Sequence, residues 1–163
     1  MAEYCWIESP LGRMLLMSDG RGLTGLHFER EKYFPPIGQD WTESPATPVL
    51  AQAARQLGEY FAGERDRFDL PLAPSGTAFQ QCVWRELLGI PCGTTVTYGD
   101  IARGIGAPKS VRAVGAAVGR NPISIVVPCH RVVGSDGALT GYAGGLERKR
   151  ALLAHERPRD LLG

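Results

Sequence analysis

Long apolar runs are missing from this chain of 163 residues: none approaches the ~20 consecutive apolar side chains that a helix needs to cross a bilayer. No basic-then-apolar segment opens it, so a cytoplasmic protein is expected. Cysteine is sparse. Cys5, Cys82, Cys92 and Cys129 include no C-x-x-C pair, which argues against a disulfide framework and for reduced thiols. Cys5 and His27 lack two further ligands in their region, so no metal is expected. Coiled-coil and repeat signals are also missing, and a monomer is the expectation. With 44% hydrophobic and 21% charged residues, the composition is that of an ordinary globular protein with a real core.

An excess of charge is missing too, since the formal net charge is only +1. The balance is uneven along the chain, however. Residues 98–150 carry eight basic side chains against three acidic ones, and the rest is acidic by four. That asymmetry suits a C-terminal region facing phosphates, although a solvated face with scattered arginines would read the same way.

What is present reads as an α+β chain in two units, 1–73 and 77–163, joined through Pro74-Ser75-Gly76. Tyr4–Ile7, Met14–Met17 and Leu23–Phe28, separated by turns at Pro10-Leu11-Gly12 and Asp19-Gly20, predict an antiparallel meander. Residues 31–45 read as an irregular connection. Thr47 and Pro48 open a helix whose apolar positions run Leu50, Ala53, Ala54, Leu57, Tyr60 and Phe61, ending near Gly63. Phe68–Leu72 reads as a further short strand.

In the second unit Thr77 opens a helix with Phe79, Val83, Trp84, Leu87 and Leu88 on its apolar face. Tyr98–Ile105 and Ser110–Gly119 then predict two short helices across a glycine-containing turn, the pattern of a helix-turn-helix. Many such corners bind nothing. The second helix, though, is built of Val111, Ala113, Val114, Gly115, Ala116, Ala117, Val118 and Gly119, with Arg112 as its one long side chain. So little bulk lets a backbone approach a partner closely, and it suits a narrow minor groove better than a major-groove reader does. Lys109, Ser110, Arg112, Ala113, Gly115 and Arg120 are the candidate DNA contacts.

The chemistry concentrates in Pro122–Arg131. Ile123–Val127 is short, β-branched and bounded by prolines, which predicts a fully buried strand ending in Cys129, His130 and Arg131. A thiol becomes a nucleophile as thiolate, so it needs a base. His130 is the candidate, but neighbours on an extended chain point opposite ways, so contact is not guaranteed and a bridging water is one solution. Glu156 is the favoured carboxylate partner for the far histidine nitrogen. Cysteines also fill cores, and from this run alone that reading stands level with the catalytic one. Cys92, beside a turn with no base nearby, is read as non-catalytic. A last helix, Leu146–His155, would carry Glu156 at its end.

Pro128-Cys129-His130-Arg131-Val132, preceded by Arg112-Ala113-Val114-Gly115 and followed by Gly141-Tyr142-Ala143-Gly144-Gly145, resembles the O6-alkylguanine-DNA alkyltransferases, also called methylated-DNA–protein-cysteine methyltransferases. The matching motifs extend from Phe79-Gln80-Gln81-Cys82-Val83-Trp84 to Leu153-Ala154-His155-Glu156, about half the chain. The resemblance implies an RNase H-like N-terminal domain and direct-reversal DNA repair. In such repair an alkyl group passes irreversibly from O6 of guanine, with O4 of thymine as a second target, to Cys129 of a protein used once. It also implies double-stranded DNA bound through the minor groove with the alkylated base flipped out.

The family's roles map onto Arg112 inserted in the duplex, Asn121 supporting the site, and Tyr98 meeting the charge on the leaving guanine. Each keeps a plainer alternative: a phosphate contact for Arg112 and a structural hinge for Asn121. Tyr142 is either a lid over the base or an inward loop anchor, and it shares the expected substrate pocket with Val132, Ala143 and Gly144. Because a thioether offers water no carbonyl to attack, one turnover and no diffusible cofactor are expected. A cysteine hydrolase using Cys129, His130 and Glu156 and a DNA-binding module without chemistry remain the competing classes. A gene regulator is a third, with no room for a second DNA-binding domain.

Overall fold

A computed structural model describes residues 2–157. Strands β1 (Glu3–Ile7), β2 (Met14–Ser18) and β3 (Leu23–Phe28) form the expected meander, with Tyr4 opposite Met17 and Leu16 opposite Leu26. A two-residue strand, β4 (Thr42–Glu43), pairs parallel to β1 inside the segment read as irregular. The sheet order is β3-β2-β1-β4. Helix α1 (Pro48–Phe61) lays Leu50, Ala53, Leu57 and Tyr60 on this sheet, all fully buried or nearly so. Thr47 does not cap it; its hydroxyl donates to Glu3 instead and ties the helix start to β1.

The free edge of β3 decides how the two halves join, because unpaired strand amides and carbonyls must be satisfied somewhere. Leu23 bonds Pro71 and Ala73 (2.8 Å each), and Leu26 bonds Pro122 and Ser124 (2.9 and 3.0 Å). Two short connections therefore replace a further strand. Phe68–Leu72 is accordingly no strand but an irregular segment with a single bridge, Leu23 to Leu72, since two of its positions are limited by Pro71 and the linker begins at once.

The second half is mostly helical: α2 (Ala78–Leu87), α3 (Tyr98–Gly104), α4 (Val111–Gly119) and α5 (Leu146–Glu156), with a two-stranded parallel pair β5 (Val96–Thr97) and β6 (Val132–Val133). Capping boxes start α2 and α3, where Thr77 and Gln80, then Thr97 and Asp100, exchange side-chain and backbone hydrogen bonds. Trp84 Nε1 donates to the carbonyl of Ala117 (2.9 Å), locking α2 against α4. Leu88, the C-cap of α2, lies outside this core, 48% exposed. Between α3 and α4 the chain reverses over six residues, with Gly106 at φ 76 supplying a conformation that a side chain disfavours. Among the described residues no helix is long and apolar enough to cross a membrane.

Candidate active site

Ile123–Val127 is buried as expected but is not a strand. Prolines at 122 and 128 deny it donors at both ends, and the backbone turns on itself instead. Val126 bonds Ser124 (2.8 Å), Val127 bonds Ile123 (3.0 Å) and Cys129 bonds Val127 (2.8 Å). Ile125 sits at φ 70, a left-handed conformation that costs a β-branched residue about 1–3 kcal/mol. The β-branched composition reflected burial rather than a ladder.

Asn121 takes the place of that ladder. Its buried amide donates to the carbonyls of Val127 (2.8 Å) and Ile123 (3.3 Å) and accepts from the Ile123 amide (3.0 Å). Asn121 thus bonds the local backbone, and the same residue lines the cavity at Cys129.

Cys129–Arg131 forms a single 3-10 turn, not an extended run, so the premise that 129 and 130 point opposite ways does not hold. The turn sends both following side chains to one carboxylate. His130 Nε2 lies 2.6 Å from Glu156 Oε2; Arg131 donates from Nε to Oε1 (2.7 Å) and from Nη2 to Oε2 (3.1 Å). Arg131 Nη1 also holds the carbonyl of Ile90 (2.7 Å). A fourth group comes from the other half of the chain, where the Tyr60 hydroxyl donates to Glu156 Oε2 at 2.6 Å.

Burial by itself would raise the Glu156 pKa, but the hydrogen bonds from His130 and Arg131 outweigh it and hold the carboxyl down at about 2. A carboxylate only accepts, so His130 Nε2 carries the hydrogen and Nδ1 is left with its lone pair free. Nδ1 is buried and has no hydrogen-bond partner among the described residues. Burial lowers the His130 pKa against the pull of Glu156, and the ring rests neutral.

Burial also pushes the Cys129 thiol up to about 11, against the opposing influence of the Asn121 amide and the Lys149 ammonium. Lys149 is fully buried and donates to the carbonyls of Val132 (2.7 Å) and Thr140 (2.9 Å). Burial lowers its pKa, with Cys129 pulling the other way. Cys92 is half-buried, and burial likewise raises its thiol.

Over Cys129 lies a cavity of only about 10 Å³, closed by Gly141, Tyr142 and Ala143 and floored by Asn121 and Ser124. Tyr142 packs inward, its hydroxyl buried. Of the expected pocket residues, Tyr142 and Ala143 line this space, whereas Val132 does not: it is fully buried in β6 opposite Val96. Gly144 does not line it either, and its missing side chain makes room for the Tyr142 ring, which a Cβ would meet at 2.7 Å.

Beyond Gly141–Ala143 a cleft of about 740 Å³ runs between Tyr98, Gly115, Ala116 and Thr140. It shares Gly119, Gly141, Tyr142 and Ala143 with the small cavity, so the two spaces adjoin. The Tyr98 hydroxyl bonds Thr140 Oγ1 (2.8 Å) across it. Lys109, Arg112, Ala113 and Arg120 are exposed, while Ser110, at the start of α4, is half-buried and makes no cap bond.

Sequence reasoning missed Tyr60 and Lys149. Tyr60 reads as one more apolar position on α1. Lys149 carried a readable signal: with Leu152 and Glu156 it follows the i, i+3, i+7 spacing of a buried helix stripe, and charges there need partners.

The comparisons agree across the chain. Residues 3–74 match the family model of the 6-O-methylguanine DNA methyltransferase ribonuclease-like domain, and residues 78–158 that of its DNA binding domain. Methylated-DNA–protein-cysteine methyltransferases of Methanosarcina barkeri and Haemophilus influenzae are similar at 52% identity over 153 residues and 48% over 155. Each match covers 94% of this chain, with 96% and 86% of the respective relative. Among solved structures, the Mycobacterium tuberculosis O6-methylguanine methyltransferase superposes with a TM-score of 0.88 at 48% identity, covering 99% of this chain and 98% of that one. The same organism's OGT in complex with DNA gives 0.87 at 49%, covering 95% and 92%.

Proposed function

Since the chain belongs to the methylated-DNA–protein-cysteine methyltransferase family, and repairs alkylated DNA by moving the alkyl group to a cysteine, we propose that Cys129 is that cysteine and His130 its base. The observation that carries the assignment is the 2.6 Å bond between His130 and Glu156, which leaves Nδ1 as the open proton acceptor one residue from the thiol.

On this reading α3, the turn and α4 act as a helix-turn-helix, and the small-residue face of α4 enters the minor groove. Arg112 fills the place of the nucleotide that swings out; unstacking costs roughly a few kcal/mol, and phosphate contacts from Lys109 and Arg120 offset it. Ser110, Ala113 and Gly115 bring the helix backbone to the sugar-phosphate chain. The lid at Gly141–Ala143 opens to admit the base, which lies over Asn121 and Ser124.

The resting thiol is protonated, so attack is coupled to proton transfer. Cys129 Sγ gives its proton to His130 Nδ1, directly or through a water, and the Glu156 carboxylate stabilises the imidazolium. The S–C bond forms as the C–O6 bond breaks, and the electron pair left on guanine is met by the Tyr98 hydroxyl. Lys149, a buried cation near the sulfur, favours the thiolate on the way. The product is a thioether with no route back, so one protein molecule is consumed per lesion. O4 of thymine fits the same chemistry as a second target, and the protein works as a monomer in the cytoplasm.

Intact mass after incubation with a duplex containing O6-methylguanine tests this. Wild type gains one methyl group, localised to Cys129 and equal in amount to the protein, and Cys129→Ser gains none. Methyl transfer in Cys129→Ser, or turnover beyond one equivalent, overturns the assignment.

A further inference from the structure

The N-terminal half offers a surface beside the cleft that the reaction described above does not use. After β3 the chain makes a tight loop in which two non-glycine residues, Arg30 and Tyr33, take left-handed conformations at φ 66 and 65. Such a backbone is unfavourable for a side-chain-bearing residue and persists only where the surroundings enforce it. Here they do. Glu31 turns inward, its carboxylate accepting from the Phe28 amide at 2.6 Å, and Phe34 turns inward to stack on Trp6 at 6.0 Å between centroids. Lys32 and Tyr33, between these anchors, are left facing out, Tyr33 47% exposed.

Two cations meet the Tyr33 ring. The Arg120 guanidinium, from the end of α4, lies 3.8 Å from its centroid, and Lys32 Nζ lies 5.1 Å away. Stacking by one face fixes the arginine and leaves its N–H edges outward, the geometry that grips a phosphate. Lys32, Tyr33 and Arg120 line the same cleft as Gly115 and Ala116. The loop is also joined to the lid, because the Lys32 amide donates to the Ala143 carbonyl at 2.9 Å.

We propose that Lys32, Tyr33 and Arg120 form a phosphate clamp at the mouth of the cleft, holding the backbone of the DNA strand that carries the displaced nucleotide. The occupant is a phosphodiester, since two cations exposed around an aromatic platform match an anion. The clamp is continuous with the α4 surface and rests on the assignment of that surface to DNA. It makes the N-terminal half a direct part of the DNA-binding face rather than only a support for the core.

Lys32→Gln and Tyr33→Asn test the clamp; asparagine tolerates the left-handed backbone, so the second variant removes the ring without straining the loop. Single-turnover methyl transfer is measured against duplex concentration at several salt concentrations. In both variants the half-saturating duplex concentration rises roughly three- to tenfold, and for Lys32→Gln the slope of log affinity on log salt falls by about one. The maximal rate stays within about twofold, because a phosphate contact positions rather than reacts. Unchanged half-saturation and salt slope overturn the clamp. So does a fall in maximal rate alone, which would make the loop a support of the lid. Anisotropy with an unmodified duplex reads the clamp apart from chemistry, so absence of transfer in wild type would count against the repair assignment and leave this test standing.

Discussion

Tyr60, on the helix that covers the N-terminal sheet, donates to Glu156 Oε2 at 2.6 Å across 96 positions of sequence. The carboxylate that His130 meets is therefore completed by a hydroxyl from the opposite half of the chain, and among the described residues three of its four bonds come from Tyr60 and Arg131 rather than from His130. The site is not a property of its own sequence motif alone.

Removing single members of this network has unequal effects. Tyr60→Phe loses one hydrogen bond to a charged group while Arg131 still neutralises Glu156, so unfolding free energy falls by about 1.5–3 kcal/mol and methyl transfer falls less than tenfold. Glu156→Gln leaves the Arg131 guanidinium buried without its counter-charge, a loss of about 3–5 kcal/mol, and removes the group that stabilises the imidazolium. Urea denaturation of both variants beside wild type checks the order; equal losses would contradict it.

Stability should form a plateau between the ordinary histidine and cysteine pKa values. Glu156, held near 2 against an ordinary 4.5, contributes stability that is present above 4.5 and lost as pH falls toward 2. The depressed His130 acts in the same direction: below 6.5 the unfolded chain takes up a proton that the folded ring resists. Cys129, raised from 9.0 to about 11, contributes stability present below 9 and lost as pH climbs to 11. Urea midpoints across this range give the profile, and Cys129→Ala should lack its share of the alkaline loss. Greater stability on acidification below 6.5 would refute the signs.

Bulk on α4 should separate DNA access from folding. A Cβ on Gly115 meets nothing closer than Tyr98 Cδ1 at 3.9 Å, so Gly115→Ala fits and gains about 0.5–1 kcal/mol from helix propensity. Gly115→Leu fills the cleft instead. Thermal unfolding should leave the leucine variant folded, while its methyl transfer from duplex drops at least about tenfold, equivalent to 1.4 kcal/mol of lost affinity. Unimpaired transfer would move the DNA away from this face.

The meander and the helices were legible because their turns and spacings are local: Pro10-Leu11-Gly12, Asp19-Gly20, Pro48, Thr77 and the small-residue run of α4 each mark an element by itself. The pairing of His130 with Glu156 was legible, but not the turn over Cys129–Arg131, since three residues of 3-10 helix leave no periodicity. Ile123–Val127 misled because burial selects the same β-branched residues as a sheet does. Tyr60 was out of reach because its bond closes only in three dimensions, and Lys32 with Tyr33 because neither the loop's strain nor its neighbour Arg120 is visible locally.

The amide of Asn121, in holding two carbonyls and one amide of a segment that is not a strand, settles how errors in this region behave. Two strands can slide by a pair of residues and find equivalent partners again, keeping the same faces inward. Here there is no repeating ladder to slide along: one side chain fits one set of backbone atoms, and a shift by any number of residues finds no second match. The thiol is thus indexed by that amide together with the two bonds that tie Pro122 and Ser124 to Leu26. An inserted or deleted residue between 121 and 129 has no near-native arrangement to fall back on, whereas the exposed turn at 134–138 can absorb one.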